Sequence, residues 1–401
     1  MGKVEIDHTG SGSGITLSSD GTSLLLDGTA IGGGGGGADL YAANESSPTA
    51  QPSATGANAI AIGDSATASG EDAVAIGDGA VATGNDSVAL GASRASDIGA
   101  FAAGIYNNST TYGARGRYGV AIGRFATSTT SGWNTAALGP QSVGSGDRAT
   151  ALTNSYASGT DSLAAAIANN TSSYGAVGAN SVAIGQNARA AQSNAIALGG
   201  SSLANGVYSF AFNGTTSGAY SVAFGGTASG SVAVSLKGAT ASGDRSLAVG
   251  FRAVSSRFGQ KAFANGRFAA DGDAQGSMFI LRAATTDATA TVLTADQGSA
   301  ASTNQIVAAS DTCITFDGTI TAMQNGAQAY ASWRIEGLLV NDGGTTTLAN
   351  SATTVIQNLS SWGMALSADN TNNALAITCT GEASHNIRWV ANIRTTEVTY
   401  A

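Results

Sequence analysis

One short phrase constrains this chain more than any other feature. Two aliphatic residues flank an alanine and a glycine closes the group: Ala59-Ile60-Ala61-Ile62-Gly63, Ala73-Val74-Ala75-Ile76-Gly77 and Ser87-Val88-Ala89-Leu90-Gly91, each 14 residues after the last. Gly56, Gly70 and Gly84 keep the same step, seven residues ahead of each closing glycine. Residues i and i+2 share a face in an extended strand, and glycine on either side marks a place where the chain turns. Each repeat therefore reads as strand, turn, return and turn, which is one coil of a β-solenoid.

The repeat can be followed to about residue 270 by its closing position. After Gly63, Gly77 and Gly91 come Gly104, Gly123, Gly139, Thr153, Ala166, Gly185, Gly199, Asn213, Gly225, Ser235, Gly250 and Gly266, which makes 15 coils. The aliphatic pair, read as facing inward, persists as Val120/Ile122, Val182/Ile184, Ile196/Leu198, Phe210/Phe212, Val222/Phe224, Val232/Val234 and Leu247/Val249. Longer steps imply insertions on one face, at 105–118, 124–134 and 167–178.

Ordering one coil costs about 1.5 kcal/mol per residue, roughly 20 kcal/mol in all. Each buried aliphatic returns about 1.5–3 kcal/mol, so a roll this thin, with Ala as its other inward residue, lacks a core of its own. Several chains are expected to pool their aliphatic faces around a common axis. The core positions of that oligomer are Ile60, Ile62, Val74, Ile76, Val88, Leu90, Val182, Ile184, Ile196 and Leu198.

Ser87-Val88-Ala89-Leu90-Gly91 and Ser181-Val182-Ala183-Ile184-Gly185 resemble the head repeats of YadA-like trimeric adhesins. The resemblance implies a left-handed parallel β-roll wound by each of three chains, hence a homotrimer over residues 56–271. The same roll occurs in bacteriophage fibres.

On either side the pattern changes. Residues 1–31 read as a small β anchor, with Ile15 and Leu17 facing Leu24 and Leu26 across a short hairpin loop. Residues 32–55 open with six glycines, Gly32 to Gly37, and read as a flexible linker, because no strand, helix and Lys-Ser/Thr pair surround the run as a phosphate loop requires. From 272 to 401 the period is two: Ile314/Phe316, Trp333/Ile335, Met364/Leu366, Leu375/Ile377/Cys379 and Ile387/Trp389/Ala391/Ile393. With turns at Asp342-Gly343-Gly344 and from Asp369 to Asn373, this predicts a β-sandwich or jelly roll. Gly272-Asp273-Ala274-Gln275, Trp362 to Asp369, and Arg388-Trp389-Val390-Ala391 resemble the terminal domain of tail fibres from marine and cyanobacterial phages. The whole chain is thus expected to be all-β, a β-roll shaft between a hairpin anchor and a terminal sandwich.

Composition removes several function classes. The net charge is −9 and no block of Lys or Arg occurs, which argues against nucleic acid or an anionic membrane as partner. The first 30 residues lack a charged segment followed by an apolar run, so no signal peptide is expected. Cys313 and Cys379 allow at most one disulfide and read as small buried thiols. The two histidines, His8 and His385, fall in different segments, which suggests neither a metal pair nor a Ser-His-Asp order. Asp64 and Asp78 would stack about 4.8 Å apart on neighbouring coils, near the spacing of a glycosidase pair, but solvated turn residues account for them. No catalytic, cofactor-binding or metal-ligating set is therefore expected.

Exposed aromatics are the better lead. Tyr106 and Tyr112 in the longest insertion, Trp133 in the next and Tyr174 in the third are candidate contacts for a glycan or protein. Arg282, Arg334, Arg388 and Arg394 fall in the terminal segment, and Arg388 and Arg394, on a strand face opposite Trp389 and Ile393, read as solvent-facing or as pairing between chains with Glu336 or Glu397. These features predict a non-enzymatic virion fibre, assembled in the host cytoplasm and docked to a tail or capsid protein through its N-terminus. It would be homotrimeric through its roll and would bind a host-surface glycan or protein. A bacterial trimeric autotransporter-type adhesin is the alternative, and a polysaccharide-degrading tail spike a third reading.

Overall fold

A computed structural model describes residues 4–6, 15–19, 24–26, 29–30 and 50–400, apart from 108, 169–170, 327–328 and 359–360. The regular elements among them are all β-strands. The glycine run and the linker as far as residue 49 lie outside the described residues. Ahead of them, Val4–Ile6, Ile15–Ser19, Leu24–Leu26 and Thr29–Ala30 pair in sequence as a four-stranded antiparallel sheet, and the hairpin sets Leu17 opposite Leu26.

From Ser53 to Phe263 the chain winds as a parallel β-solenoid. Each coil gives a three-residue strand to a long ladder, from Ile60–Ile62 to Lys261–Phe263, and a two-residue strand to a 15-stranded short ladder, from Ser53–Ala54 to Val254–Ser255. Equivalent residues stack in register, Ile60 on Val74 and Val74 on Val88.

Two closing positions differ from the sequence reading. Val232 sits in a turn at φ 58°, and the strand is Val234–Leu236, closed by Lys237. Ser231-Val232-Ala233-Val234 has the shape of the phrase one register early, but the ladder aligns Val234 with Val222 and Leu247. The last strand, Lys261–Phe263, is closed by Ala264 rather than Gly266.

The alternation also resolves in the opposite sense. Ala75, Ala89, Ala102, Ala121 and Ala183, between the paired aliphatics, are fully buried inside the coil, while Ile76, Ile122 and Ile184 are 38–41% exposed on its outer face. Corners of only four residues (63–66) and five (69–73) join the two strands of a coil. That coil is too thin for branched side chains, so small residues fill it. At Ser87 and Ser209 the interior hydroxyl donates to a corner glycine carbonyl, of Gly84 at 2.6 Å and of Gly206 at 2.7 Å, which satisfies a buried polar group, whereas the Ser162 and Ser181 hydroxyls are buried without a partner.

The two glycine series answer different demands. Gly63 and Gly77 have φ of 117° and 122°, conformations closed to residues with a Cβ. Gly56 and Gly70 are instead required by close approach: a Cβ on Gly56 would lie 1.9 Å from the Gly70 carbonyl oxygen, and one on Gly70 2.0 Å from that of Gly84.

Beyond the roll, two antiparallel sheets pack as a sandwich. Strands Ala274–Thr285, Ile387–Thr399, Thr312–Gln324, Tyr330–Asp342 and Thr345–Gln357 lie in that spatial order. The smaller sheet centres on Ala374–Thr380, flanked by Gly363–Asp369 and by two short strands. The apolar alternation falls on the inner faces, where Trp333 stacks on Trp389 at 5.6 Å and Trp362 tilts against it at 5.8 Å. Gly343 and Gly344 form a two-residue hairpin loop with φ of 55° and 93°, as the favoured hairpin turns need. The thiols are free and differ from the expectation of two buried ones: Cys379 is in the core, whereas Cys313 is exposed on the outer face of the large sheet.

The Gly272-Asp273-Ala274-Gln275 segment makes the joint. Lys261–Phe263 pairs antiparallel with Gly276 to Met278, so the long ladder continues into the large sheet. The end of the short ladder is capped by a side chain: Gln275 Oε1 accepts the Val254 N–H at 2.9 Å, and its Nε2 donates to the Val254 carbonyl at 3.0 Å and to Glu397 at 3.0 Å. Asp273 accepts the N–H groups of Phe268, Ala269 and Ala270 at 2.9, 2.6 and 2.8 Å.

Candidate functional site

Each coil has two corners, one after the long strand and one before it, and both use left-handed residues. In the second corner the residue two before the strand has φ near 55°, held by Asn58, Asp72, Asp86, Asn134, Asn180 and Asn194. Asn and Asp tolerate this conformation best after glycine. A neighbouring carboxylate or amide caps the previous coil, as Asn85 accepts the Glu71 N–H at 3.2 Å and Asp147 that of Trp133 at 3.0 Å. Asp64 does likewise for Ala50 at 2.7 Å, so this turn acid has a capping role.

In some coils this economical choice is replaced. Tyr118, Tyr208, Tyr220 and Val232 hold the same left-handed position, and Tyr106 and Phe125 hold its counterpart in the first corner. Bulky residues there carry strain. Most of them are also exposed: Tyr106 75%, Tyr118 48%, Tyr208 53%, Tyr220 58% and Val232 48%.

The structure separates the four aromatics singled out from sequence. Tyr106 and Trp133 are exposed, while Tyr112 and Tyr174 pack down on the alanine core. The extra residues are fewer than the spacing suggested, because 105–118 and 167–178 include regular short strands at Gly113–Ala114 and Gly175–Ala176, and 124–134 includes Thr127–Ser128. Tyr106 and Trp133 do not come together; they lie at opposite ends of the strand Val120–Ile122.

Two clusters result. In the first corner Arg124 lies over Phe125 at 4.6 Å and Tyr106 at 5.8 Å, and Tyr112 meets Phe125 at 4.9 Å. In the second, Arg117 lies between Tyr118 at 5.3 Å and Trp133 at 5.5 Å. Farther along, Tyr208 and Tyr220 stack at 5.0 Å with rings 2° from parallel. That pair was missed from sequence, though one signal was available: both tyrosines stand where other coils keep Asn or Asp.

In the sandwich Arg334, Arg388 and Arg394 are exposed and Arg282 is half-buried. Arg394 stands between Met278 and Asp317 in register, and Glu397 takes the Gln275 amide. Among the described residues no group of three His, Cys, Asp or Glu side chains converges as a metal site would need.

Comparison with known proteins agrees with the roll. The YadA head domain repeat (2 copies) family matches residues 54–80, 68–93, 176–202, 193–212 and 237–253. Those stretches are similar to that family and lie wholly within the solenoid. No match was found among curated proteins. Among solved structures, the tailspike protein of Acinetobacter baumannii phage AM24 is 9% identical over 85% of this chain and 67% of its own, with a TM-score of 0.18, a likeness that carries no argument.

Proposed function

We propose that three chains join through the outer faces of their long ladders into a trimeric shaft that attaches a virion to the surface of its host. One observation carries the trimer: the aliphatic pairs turn outward and leave a row of half-exposed side chains along the whole roll, including Ile76, Ile122, Ile184, Phe212 and Phe224. A continuous apolar surface of that kind marks an interface, and the YadA-head similarity supports a threefold arrangement for it. In this reading the N-terminal sheet docks on the particle, and the aromatic corners and terminal sandwich meet the host. The role is adhesive, with three copies of each weak contact acting together.

Sedimentation at micromolar concentration tests the assembly, with a mass three times the 39.1 kDa chain expected. A folded species that stays at one chain's mass would sink it. Attachment is tested by adding the purified chain to cells before the particles, where reduced adsorption is expected. The same family similarity also suits a bacterial surface adhesin, and the fraction in which the protein is found, purified particles or cell envelope, separates the two.

A further inference from the structure

The chain contains its own control for the first aromatic corner. Residues 105–118 and 167–180 are two versions of one insertion, matching at Ile105/Ile167, Asn107/Asn169, Tyr112/Tyr174, Gly113/Gly175, Ala114/Ala176 and Gly116/Gly178. The scaffold is the same in both. Ile105 and Ile167 are fully buried, and their N–H groups donate to Ser93 Oγ and Ser155 Oγ, each at 3.2 Å. Gly113 and Gly175 both take positive φ, where a Cβ would strike the carbonyl of Arg94 or Tyr156.

What differs is the surface. The second version has Ala179 and Asn180 where the first has Arg117 and Tyr118, and the φ at Asn180 and Tyr118 is 54° in each. The fold therefore does not need the arginine or the tyrosine. The Arg117 guanidinium has no hydrogen bond among the described residues, and its Nε is buried without a partner. Its guanidinium is held instead between the rings of Tyr118 and Trp133, and the Trp133 indole is 55% exposed. Between residues 94 and 148 the sequence holds Arg94, Arg115, Arg117, Arg124 and Arg148 against Asp97 and Asp147, in a chain whose net charge is −9, and of these arginines Arg148 is already paired with Asp161.

We propose that the corner formed by Arg117, Tyr118 and Trp133 binds a carboxylated saccharide. This rests on the attachment reading and names its ligand class. The Trp133 indole offers a flat apolar face for a sugar ring. Arg117, aimed by the two rings around it, offers a fork for the sugar carboxylate. A nucleic acid fits worse, because its phosphates call for a row of cations and this corner presents one unpaired arginine inside a negative molecule.

The test is calorimetric titration of the full chain with two carboxylated probes, oligogalacturonate and sialyl-lactose, against methyl-esterified oligogalacturonate and single-stranded DNA. Binding to at least one carboxylated probe is expected, weakened about tenfold or more by esterification and weakened again by raising salt. The double variant Arg117→Ala/Tyr118→Asn installs the residues of the second insertion and relieves the left-handed tyrosine, so it is expected to keep the mass and to melt no lower than the parent while losing about tenfold or more in affinity. Trp133→Ala is expected to lose a similar factor. No binding to either carboxylated probe, equal binding of the esterified one, tighter binding of DNA, or an unaffected double variant would each overturn the proposal. Cell adsorption separates it from the broader reading: a double variant that still adsorbs like the parent removes the corner and leaves attachment standing. A parent chain that binds the probe but no cells does the reverse.

Discussion

At the scale of single residues, backbone geometry explains choices that composition alone makes look arbitrary. A Cβ on Gly218 would lie 1.9 Å from the Gly230 carbonyl oxygen. Gly218→Ala must therefore push two coils apart and is expected to cost about 1–3 kcal/mol, read as a lower urea midpoint. Val232 is the opposite case, a β-branched residue at φ 58° with 48% of its surface exposed. Val232→Asn is expected to raise stability by about 1 kcal/mol, read as a higher urea midpoint. The thiols give a third check. Burial pushes the Cys379 thiol up to about 12, while Cys313 is exposed, so a thiol reagent near pH 8 should modify one cysteine in the native protein and the second only on unfolding.

At the scale of elements, the roll must end without offering an open edge. Its long ladder is continued by Gly276 to Met278, and its short ladder is closed by the Gln275 amide, which mimics a paired strand. Asp273 ties the intervening loop. Burial alone would raise its pKa, but N–H groups of Ala269, Phe268 and Ala270, with Arg267 nearby, hold its carboxyl below the usual range. A depressed carboxylate contributes its full stability above the unfolded value of about 3.9 and loses it as pH falls through the lower folded value. The melting-temperature difference between the parent and Asp273→Asn should thus stay constant from pH 8 to about 5 and shrink below about pH 4. A difference that grew on acidification would contradict this account. The sandwich manages its own edge less fully: Ala349 to Gln357 is exposed along its length, the kind of strand another chain can pair with.

At the scale of the whole molecule, the roll divides its apolar residues into two sets. Alanines fill each coil, and the larger aliphatics lie outside it, where only another chain can cover them. Ile184→Asp would put three charges into the proposed axis and remove about 1.5–3 kcal/mol of burial per chain. The expected result is a mass falling toward one chain in sedimentation, while circular dichroism keeps its β signal because the alanine interior is untouched.

Much of this was legible in the sequence, because a repeating coil writes its local rules into every period. Glycine at positive φ, period-two strands and two-residue turns are decided within a few residues, so Gly63 and Gly77, the coil count and the inner faces around Trp333 and Trp389 could be read directly. Alternation does not say which face is inside. The thinness of the coil decided that, sending Ile76 out and Ala75 in. Likewise, Gly56 and Gly70 are required by contact with the next coil, the strand around Val234 by pairing with its neighbours, and the stack of Tyr208 on Tyr220 by one coil lying over another. Sequence determined the period and the turns, which are local steric matters. Only the tertiary structure decided which side chains meet, because coils touch across a winding distance that no single repeat records.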